Sequence, residues 1–369
     1  MRIYLVGGAI RDELLGIPIQ ERDWVVVGST PEEMIARGFK PVGKEFPVFL
    51  HPQTYEEYAL ARTEYKTTKG YRGFRFHTDP NVTLEEDLKR RDLTINAMAK
   101  TSEGKIIDPY GGQKDIKNKI LRHVSPAFRE DPVRILRLAR LSAKFPEFSI
   151  HPKTLDLMKD ITHSGEVHTL VSERVWQELV CALSSKSPVR FFTVLQNCGA
   201  LSVLFGALHL NSKGMNALSQ IVSRTSSPII RFSVLLSNLP SEVIQQMTLK
   251  YRIPNEYFRL SNMIIQFQGL YERIDQMNAK ELLNFILKTD ALRRKKRFEQ
   301  FLLACASLCP ASERNSDRIR KAIAIVKSID TGLLQKQRLR GKNFAKSLEE
   351  LRLRAICTAF NSSVLWGNS

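Results

Sequence analysis

Hydrophobic positions divide the chain into a first part with strand-like runs and a longer part with helical spacing. Short apolar runs predict strands at residues 3–6, 23–27, 58–62 and 106–107. Residues 30–36 predict a capped helix, and from residue 130 onward apolar residues recur at helical intervals of three and four. The pattern therefore predicts a mixed α/β head over about the first 125 residues, followed by a long helical remainder.

The charge balance is strongly basic, with 56 lysine and arginine residues against 38 acidic residues and a net charge of +18. Such a surplus favours a polyanionic partner, with nucleic acid ahead of an anionic membrane surface. No apolar run reaches the roughly 20 residues that a membrane-spanning helix needs, and no secretion signal precedes the first strand. The five cysteines are scattered and odd in number, which favours a reduced, cytoplasmic protein.

The first candidate site joins a glycine turn to a pair of carboxylates. The first predicted strand runs into Gly7 and Gly8, and Arg11 follows on a predicted helix. Glycines let the backbone approach phosphate oxygens, and the N–H groups at a helix start favour anions. Glu21 and Asp23 lie two apart on the next predicted strand, so their carboxylates share one face and suit Mg²⁺. The alternative is a surface turn followed by a solvated acidic pair.

A second cluster lies in the segment KRRDLTINA, which is predicted to begin a helix. Arg91 offers a fork of donors that matches phosphate. Asp92 is placed to cap or orient, and Asn96 follows four residues later. The alternative is an exposed helix N-terminus with ordinary i,i+4 contacts.

A third cluster lies in the segment EDPVRILRLAR. Asp131 and Pro132 suit the cap and the first turn of a helix. Arg134, Arg137 and Arg140 then follow at three-residue intervals. Guanidinium groups this close repel one another unless an anion or a carboxylate lies between them, so a triphosphate or a nucleobase is a candidate ligand. The alternative is a solvated basic face.

A series of motifs carries a resemblance to a known family. Within about residues 1–205 the chain reads GGAIRD with ERDW, RRDLTINA, DPYGG, EDPVRILRLAR and SERVW. In this order they closely resemble the bacterial CCA-adding enzymes, or tRNA nucleotidyltransferases, of the class shared with bacterial poly(A) polymerases. The resemblance implies an α+β fold, with a polymerase-β-like nucleotidyltransferase head on a mixed sheet and an all-α neck, body and tail. The domains expected are a head at 1–140, neck and body at 141–225 and a tail at 226–369.

The resemblance also implies a role for each matched residue. Glu21 and Asp23 occupy the two metal-ligand positions and are the implied catalytic residues, with Mg²⁺ as cofactor. Asp131 and Arg134 fall where the family reads the edge of the base. Glu57 stands where the family carries another acidic residue near the site. Contacts to the triphosphate, the sugar or other parts of the nucleotide are implied for Gly8, Arg11, Arg91, Asp92, Asn96, Arg137 and Arg140.

The implied activity is addition of C, C and A to the 3′ end of tRNA from CTP and ATP, without a template and with release of pyrophosphate. One metal ion would lower the pKa of the tRNA hydroxyl while a second stabilises the leaving oxygens. Three alternatives remain open: a poly(A) polymerase, an enzyme adding only CC or only A, and a catalytically silent RNA-binding protein. Residues 42–51 resemble CCA-adding relatives, and residues 67–86 resemble the flexible loop that CC-adding enzymes lack.

The chain departs from the family pattern at two places. The family usually has aspartate at the first metal position, where this chain has Glu21. Longer relatives carry a phosphohydrolase domain marked by adjacent histidine and aspartate, whereas the corresponding place here reads Ser237-Asn238. Neither replacement is a good ligand for a catalytic transition metal, so we expect no phosphatase or phosphodiesterase activity.

Two basic runs in the predicted tail favour contact with the tRNA backbone. Residues 293–297 form five consecutive cations, and a looser run contains Lys336, Arg338, Arg340 and Lys342. Phosphate contacts of this kind give position rather than sequence and weaken with salt. The alternative is a pair of solvated basic faces.

Overall fold

Eleven strands lie among the residues described by the computed structural model, which are 1–42, 48–66, 74–77, 79–309, 313–330, 332 and 341–360. The strands are β1 (Arg2–Val6), β2 (Asp23–Val27), β3 (Lys40–Val42), β4 (Val48–Leu50), β5 (Glu57–Leu60), β6 (Thr63–Lys66), β7 (Phe74–His77), β8 (Ala99–Lys100), β9 (Ile106–Ile107), β10 (Ile120–Leu121) and β11 (Ser149–Ile150).

Helices dominate the rest of the chain. They are α1 (Gly8–Leu14), α2 (Pro31–Ala36), α3 (Leu84–Lys89), α4 (Gly112–Lys117), α5 (Val133–Lys144), α6 (Pro152–His163), α7 (Ser172–Leu183), α8 (Pro188–Asn197), α9 (Ala200–Phe205), α10 (Lys213–Ile221), α11 (Pro228–Leu235), α12 (Ser241–Tyr251), α13 (Asn255–Tyr271), α14 (Ala279–Lys288), α15 (Lys295–Leu308), α16 (Glu313–Lys327) and α17 (Gly341–Ala359).

Seven of the strands form one mixed sheet in the order β3-β4-β5-β2-β1-β8-β9. Neighbouring strands run antiparallel, except that β2 and β5 run parallel. This register sets Asp23 beside Val6 of β1 on one side and Glu57 of β5 on the other. The predicted mixed sheet is therefore confirmed, and two acidic residues meet at the start of its parallel pair.

The alternation of side chains along β2 divides the hydrophobic core between the two faces of the sheet. Val25 and Val27 belong to one buried cluster together with Leu88 of α3. Val26 belongs to a second cluster on the opposite face. Because residues two apart on a strand share a face, Asp23 belongs to the face of Val25 and Val27.

The segment predicted to begin a helix at residues 89–97 does not form one. A capping box formed by Thr83 and Glu86 begins α3, which ends at Lys89, and Thr94–Asn96 is a single 3₁₀ turn. Apolar and polar side chains of residues 92–99 are all buried, so the segment has no solvent-facing side of the kind that a surface helix needs. The helix prediction was wrong because it relied on the charged residues at one end.

The chain divides into two compact units, Met1–Leu210 and Asn211–Ser369. In the first unit α5 packs against α7 and α8, and in the second α11 packs against α13 and α15. The parallel pair of β10 and β11 interrupts the helical pattern expected after residue 130. Within the described ranges, no helix combines the length and the apolar character needed to cross a bilayer.

Candidate active site

The glycine turn after β1 brings backbone close to two arginine side chains. Gly7 has a φ of 75°, which disfavours residues with a side chain, and its N–H donates to the Met98 carbonyl. A Cβ atom on Gly7 would lie 3.2 Å from Nη1 of Arg91, and a Cβ on Gly8 would lie 3.2 Å from Nη2 of Arg11. The turn therefore needs glycine at its first position and little bulk at its second.

The carboxylate pair lies beside this turn. Asp23 is the first residue of β2, and Glu21 lies in the segment before the strand, which corrects the prediction that both residues are on it. The pairing with β1 ends at Val6 opposite Asp23, because β1 turns away at Gly7 and leaves Glu21 without a strand partner. Loss of hydration raises the pKa of Asp23, Arg91 opposes the rise, and Glu21 adds to it.

These carboxylates line an open cavity of about 360 Å³, whose wall consists of residues 19–23 and 54–57 and includes Glu57. Two hard oxygen donors whose charges repel are a suitable pair for a divalent cation. The described residues contain no cluster of three or more histidine, cysteine, aspartate or glutamate side chains arranged to hold a metal. Glu21 and Asp23 are therefore the side chains of this cavity that would hold a divalent cation such as Mg²⁺.

Asp92 is a buried acceptor at the centre of the predicted site. Its carboxylate accepts hydrogen bonds from the Leu93 N–H at 2.9 Å, from Nδ2 of Asn96 at 3.1 Å and from Nε of Arg137 at 2.7 Å. Burial alone favours the neutral acid, but Arg137 and Asn96 hold the pKa of Asp92 well below its usual range. Asp92 is therefore a fixed negative charge that orients Asn96 and Arg137.

Arg11 extends this network to the first helix. Its Nη1 donates to Oδ1 of Asn96 at 2.6 Å, and its Nε donates to Oδ1 of Asp12 at 2.8 Å. Lys144 donates to the other oxygen of Asp12 at 3.1 Å, and the Arg11 guanidinium lies over the ring of Phe145. Arg11 is only 6% exposed, and through these contacts it joins α1 to the end of α5.

Glu178 of α7 is a site residue that the sequence did not identify. Its Oε2 accepts a hydrogen bond from Nε of Arg140 at 2.5 Å, and its Oε1 lies 3.9 Å from Nη1 of Arg137. The spacing of the three arginines on α5 predicted that an anion or a carboxylate lies between them, and Asp92 and Glu178 are the carboxylates that do. The position of Glu178, directly after the SERVWQ segment, was the available signal.

Asp131 and Arg134 are engaged with protein partners. Arg174 of α7 binds both oxygens of Asp131, at 3.3 and 2.8 Å, and the same carboxylate accepts the Val133 N–H at 3.0 Å. The helix begins one residue later than predicted, because Pro132 and not Asp131 is the N-cap residue, and Asp131 binds the first helical N–H from the position before the cap. Arg134 is buried and donates to the Ala127 carbonyl at 2.7 Å.

The remaining predicted features lie in the second unit or outside the described residues. Arg294 and Arg297 pair with Asp290, and residues 293–296 are exposed. Ser237 is buried after α11 and donates to Oδ1 of Asn238 at 3.1 Å. The following predicted features fall wholly or partly outside the described residues: the looser basic run, the segment 42–51 and the loop 67–86.

Two known domain families match the first unit. The Poly A polymerase head domain matches residues 3–122. The probable RNA and SrmB-binding site of polymerase A matches residues 147–210. The two matches cover most of the unit that contains the carboxylate pair and the arginine network.

Whole-chain relatives extend the match to the second unit. The CCA-adding enzyme of Coxiella burnetii is 59% identical over 97% of this chain and 95% of its own length. The Multifunctional CCA proteins of Methylococcus capsulatus and Dechloromonas aromatica are 42% and 47% identical over 96% and 85% of this chain. The alignment with the Methylococcus capsulatus protein spans 401 positions, so that relative has residues for which this chain has no counterpart.

Solved structures show the same fold. The Thermotoga maritima CCA-adding enzyme complexed with tRNA covers 96% of this chain with a TM-score of 0.73 at 21% identity, and 87% of its own chain is matched. A CCA-adding enzyme in complex with CTP gives a TM-score of 0.72 at 24% identity, with the same coverage of both chains. The predicted polymerase-β-like head with a mixed sheet and helical remainder is confirmed.

Proposed function

The chain belongs to the CCA-adding enzyme family, and from that premise we propose that it adds C, C and A to the 3′ end of tRNA. Its substrates are tRNA, CTP and ATP, pyrophosphate is released, and no nucleic-acid template is used. The observation that carries the proposal is 59% identity to a CCA-adding enzyme along 97% of the chain. The carboxylate pair and the arginine network of the first unit support it chemically.

The reaction requires a cation at the acidic pair, and Glu21 and Asp23 are the residues that would hold it. When bound, Mg²⁺ ions would lower the pKa of the attacking hydroxyl and neutralise the leaving pyrophosphate. Arg91, next to the glycine turn, supplies positive charge where the triphosphate must approach both the turn and Asp23. Transfers of this kind depend mostly on positioning and charge neutralisation, which these side chains provide.

Selection of the nucleotide is assigned to α5 and its neighbours. Asp131 and Arg134 offer an acceptor and donors that pair with C or A and mismatch G or U. Each mismatched hydrogen bond costs about 1–3 kcal/mol, because a buried donor or acceptor stays unpaired. Arg137 and Arg140 bind the rest of the nucleotide, and Gly8, Arg11, Asp92 and Asn96 shape its triphosphate and sugar side.

The decisive experiment supplies purified protein with tRNA that lacks its last three nucleotides, together with CTP, ATP or both. We expect three added nucleotides only when both are present. A long run of A from ATP alone would identify a poly(A) polymerase, and addition of only CC when both nucleotides are present would identify a CC-adding enzyme. A second substrate, tRNA that already ends in CC, is needed to identify an enzyme that adds only A. Binding of tRNA without any incorporation would identify a silent RNA-binding protein.

Glu21 provides a prediction about the cation. Glu21→Gln keeps the size of the side chain but removes its charge, so incorporation should fall by at least about a hundredfold. Glu21→Asp restores the family's usual residue and should retain activity, which makes it the matched control. Incorporation at the wild-type rate in Glu21→Gln would remove Glu21 from the metal site.

We assign tRNA binding, without phosphohydrolase activity, to the second unit. The buried Ser237 and the adjacent Asn238 stand where longer relatives carry histidine and aspartate, and neither side chain is a good ligand for a transition metal. Metal-stimulated cleavage of a 2′,3′-cyclic nucleotide by the purified protein would contradict this assignment. The cytoplasm is the compartment that supplies these substrates, and we propose it as the location.

A further inference from the structure

Asp87 is a completely buried carboxylate that has no role in the proposed reaction as described above. It lies on α3 with 0% exposure. Its Oδ1 accepts hydrogen bonds from Nε and Nη2 of Arg90, at 3.0 and 2.6 Å, and from the Arg62 N–H at 3.4 Å. Its Oδ2 accepts from Nη2 of Arg91 at 3.2 Å. Burial opposes its charge, yet Arg90 and Arg91 keep its pKa below the usual range.

The other end of the Arg91 side chain faces the glycine turn. Nη2 of Arg91 is bound to Asp87, while Nη1 lies 3.2 Å from the place where a Cβ of Gly7 would stand. The same Cβ position lies 4.0 Å from Oδ2 of Asp23, so Nη1 of Arg91 and the Asp23 carboxylate both border the glycine turn. Asp87 therefore fixes the planar guanidinium through Nη2, and Nη1 faces the glycine turn.

We propose that Asp87 is the positioning residue that fixes Arg91 for the triphosphate of the incoming nucleotide. The inference rests on the proposed nucleotidyl transfer. An arginine side chain has many rotamers, and ordering it on binding has an entropy cost. Because Asp87 holds one rotamer in advance, nucleotide binding does not have to offset that cost. Asp87 does not touch the nucleotide and acts through Arg91.

The principal test is Asp87→Asn, which keeps the side-chain volume but removes the charge that holds two arginines. We expect the KM for both CTP and ATP to rise about tenfold, corresponding to one lost charge-assisted hydrogen bond. The inhibition constant of inorganic pyrophosphate should rise in parallel, whereas the KM for tRNA should not change. Wild-type nucleotide KM values in a folded Asp87→Asn protein would overturn the proposal.

Asp290→Asn is the matched control. Asp290 is a half-buried carboxylate of the second unit that also pairs with two arginines, Arg294 at 3.3 Å and Arg297 at 3.9 Å, and it has no assigned contact with the nucleotide. The change should leave the nucleotide KM unchanged. An equal KM rise in Asp290→Asn would mean that general loss of a carboxylate between two arginines explains the effect, which would also overturn the proposal.

A double-mutant cycle tests whether Asp87 acts through Arg91, and Asp87→Glu, which keeps the charge, covers the case in which Asp87→Asn folds poorly. In an Arg91→Ala background, Asp87→Asn should cause no further rise in nucleotide KM, because Asp87 acts only through Arg91. The more conservative Asp87→Glu should recover part of the wild-type KM. Independent, multiplying effects of the two changes would refute the inference while leaving the proposed function intact. Failure of the wild-type protein to extend tRNA would refute the proposed function itself.

Discussion

Arg137 and Arg140 lie three residues apart on α5 without a destabilising repulsion because acidic side chains from other elements meet them. Asp92 binds Arg137, and Glu178 binds Arg140 and lies near Arg137. In the proposed function, a nucleotide that binds these arginines would enter a region whose positive charge is already partly balanced. The pairs with Asp92 and Glu178 distinguish this part of α5 from a solvated basic face.

Glu178→Gln tests this balance. Loss of the carboxylate charge leaves Arg137 and Arg140 to repel each other and to choose new rotamers. We expect the KM for CTP and ATP to rise roughly three- to tenfold with a smaller change in kcat. Steady-state kinetics measure the effect. Asp160→Asn removes an exposed carboxylate that pairs with Arg129 at 3.2 Å, and it should leave the kinetics unchanged.

The buried carboxylate of Asp92 leads to a second prediction, which concerns how the free energy of unfolding depends on pH. Its pKa is lower in the folded protein than the value of about 3.9 expected in the unfolded chain. Its stabilising contribution is therefore complete above that unfolded value and is lost as the pH falls below about 4.

Asp92→Asn should cost about 1–3 kcal/mol at pH 7, a moderate amount because Arg137 is 38% exposed and solvent screens part of the interaction. The difference in unfolding free energy between wild type and variant should shrink between pH 5 and pH 3. Urea unfolding at several pH values measures it. A difference that is constant across this range would show that the charge of Asp92 does not stabilise the fold.

At the level of elements, the site depends on close contacts around the 3₁₀ turn at Thr94–Asn96. Asp108 caps α4 by accepting the N–H groups of Gly112 and Gln113, at 2.7 and 2.9 Å. The helix then packs so tightly that a Cβ on Gly112 would stand 2.4 Å from the Thr94 carbonyl oxygen. The first residue of α4 thus fixes the turn that presents Asn96.

Gly112→Ala should therefore destabilise the protein by roughly 1–3 kcal/mol, because the clash is with backbone and cannot relax by a rotamer change. Gly269→Ala is the matched control. Gly269 lies on α13 with open space at its Cβ position, and the substitution should stabilise the protein by about 0.5–1 kcal/mol. Thermal unfolding distinguishes them, and equal midpoints would refute the packing argument.

Elements with local signals could be predicted from the sequence. The bounds of β2 and the capping box that begins α2 at Thr30 agree with the prediction, since each depends on adjacent residues. Residues 89–97 could not be predicted, because their contacts come from distant segments, such as the Thr94 N–H donating to the Arg122 carbonyl. Glu178 was missed for a similar reason, since 38 residues separate it from Arg140.

At the level of the whole molecule, the basic surplus of +18 and the exposed residues 293–296 bear on how tRNA is held. We expect glutamine at Arg293, Lys295 and Lys296 to raise the KM for tRNA and to leave the choice of nucleotide unchanged. The slope of log affinity against log salt should become shallower by about one for each tRNA phosphate that these side chains no longer neutralise.

Neutralising an equal number of exposed lysines in the first unit controls for total charge, with glutamine at Lys105, Lys114 and Lys117. These changes should affect the salt slope less than the substitutions at residues 293–296. Indistinguishable slopes for the two triple variants would show that total charge, and not the basic run, determines the affinity for tRNA.

The bidentate ion pair between Arg174 and Asp131 has a consequence for the fidelity of nucleotide selection. With the proposed assignment, the carboxylate that inspects the base already has a good partner before any nucleotide arrives. If Asp131 reads the base as proposed, a base would have to compete with that guanidinium, and a base with misplaced donors would leave Asp131 bound to Arg174. Arg174 would thus act as an internal competitor for the Asp131 carboxylate, and only a base that binds Asp131 more favourably than Arg174 does would be accepted.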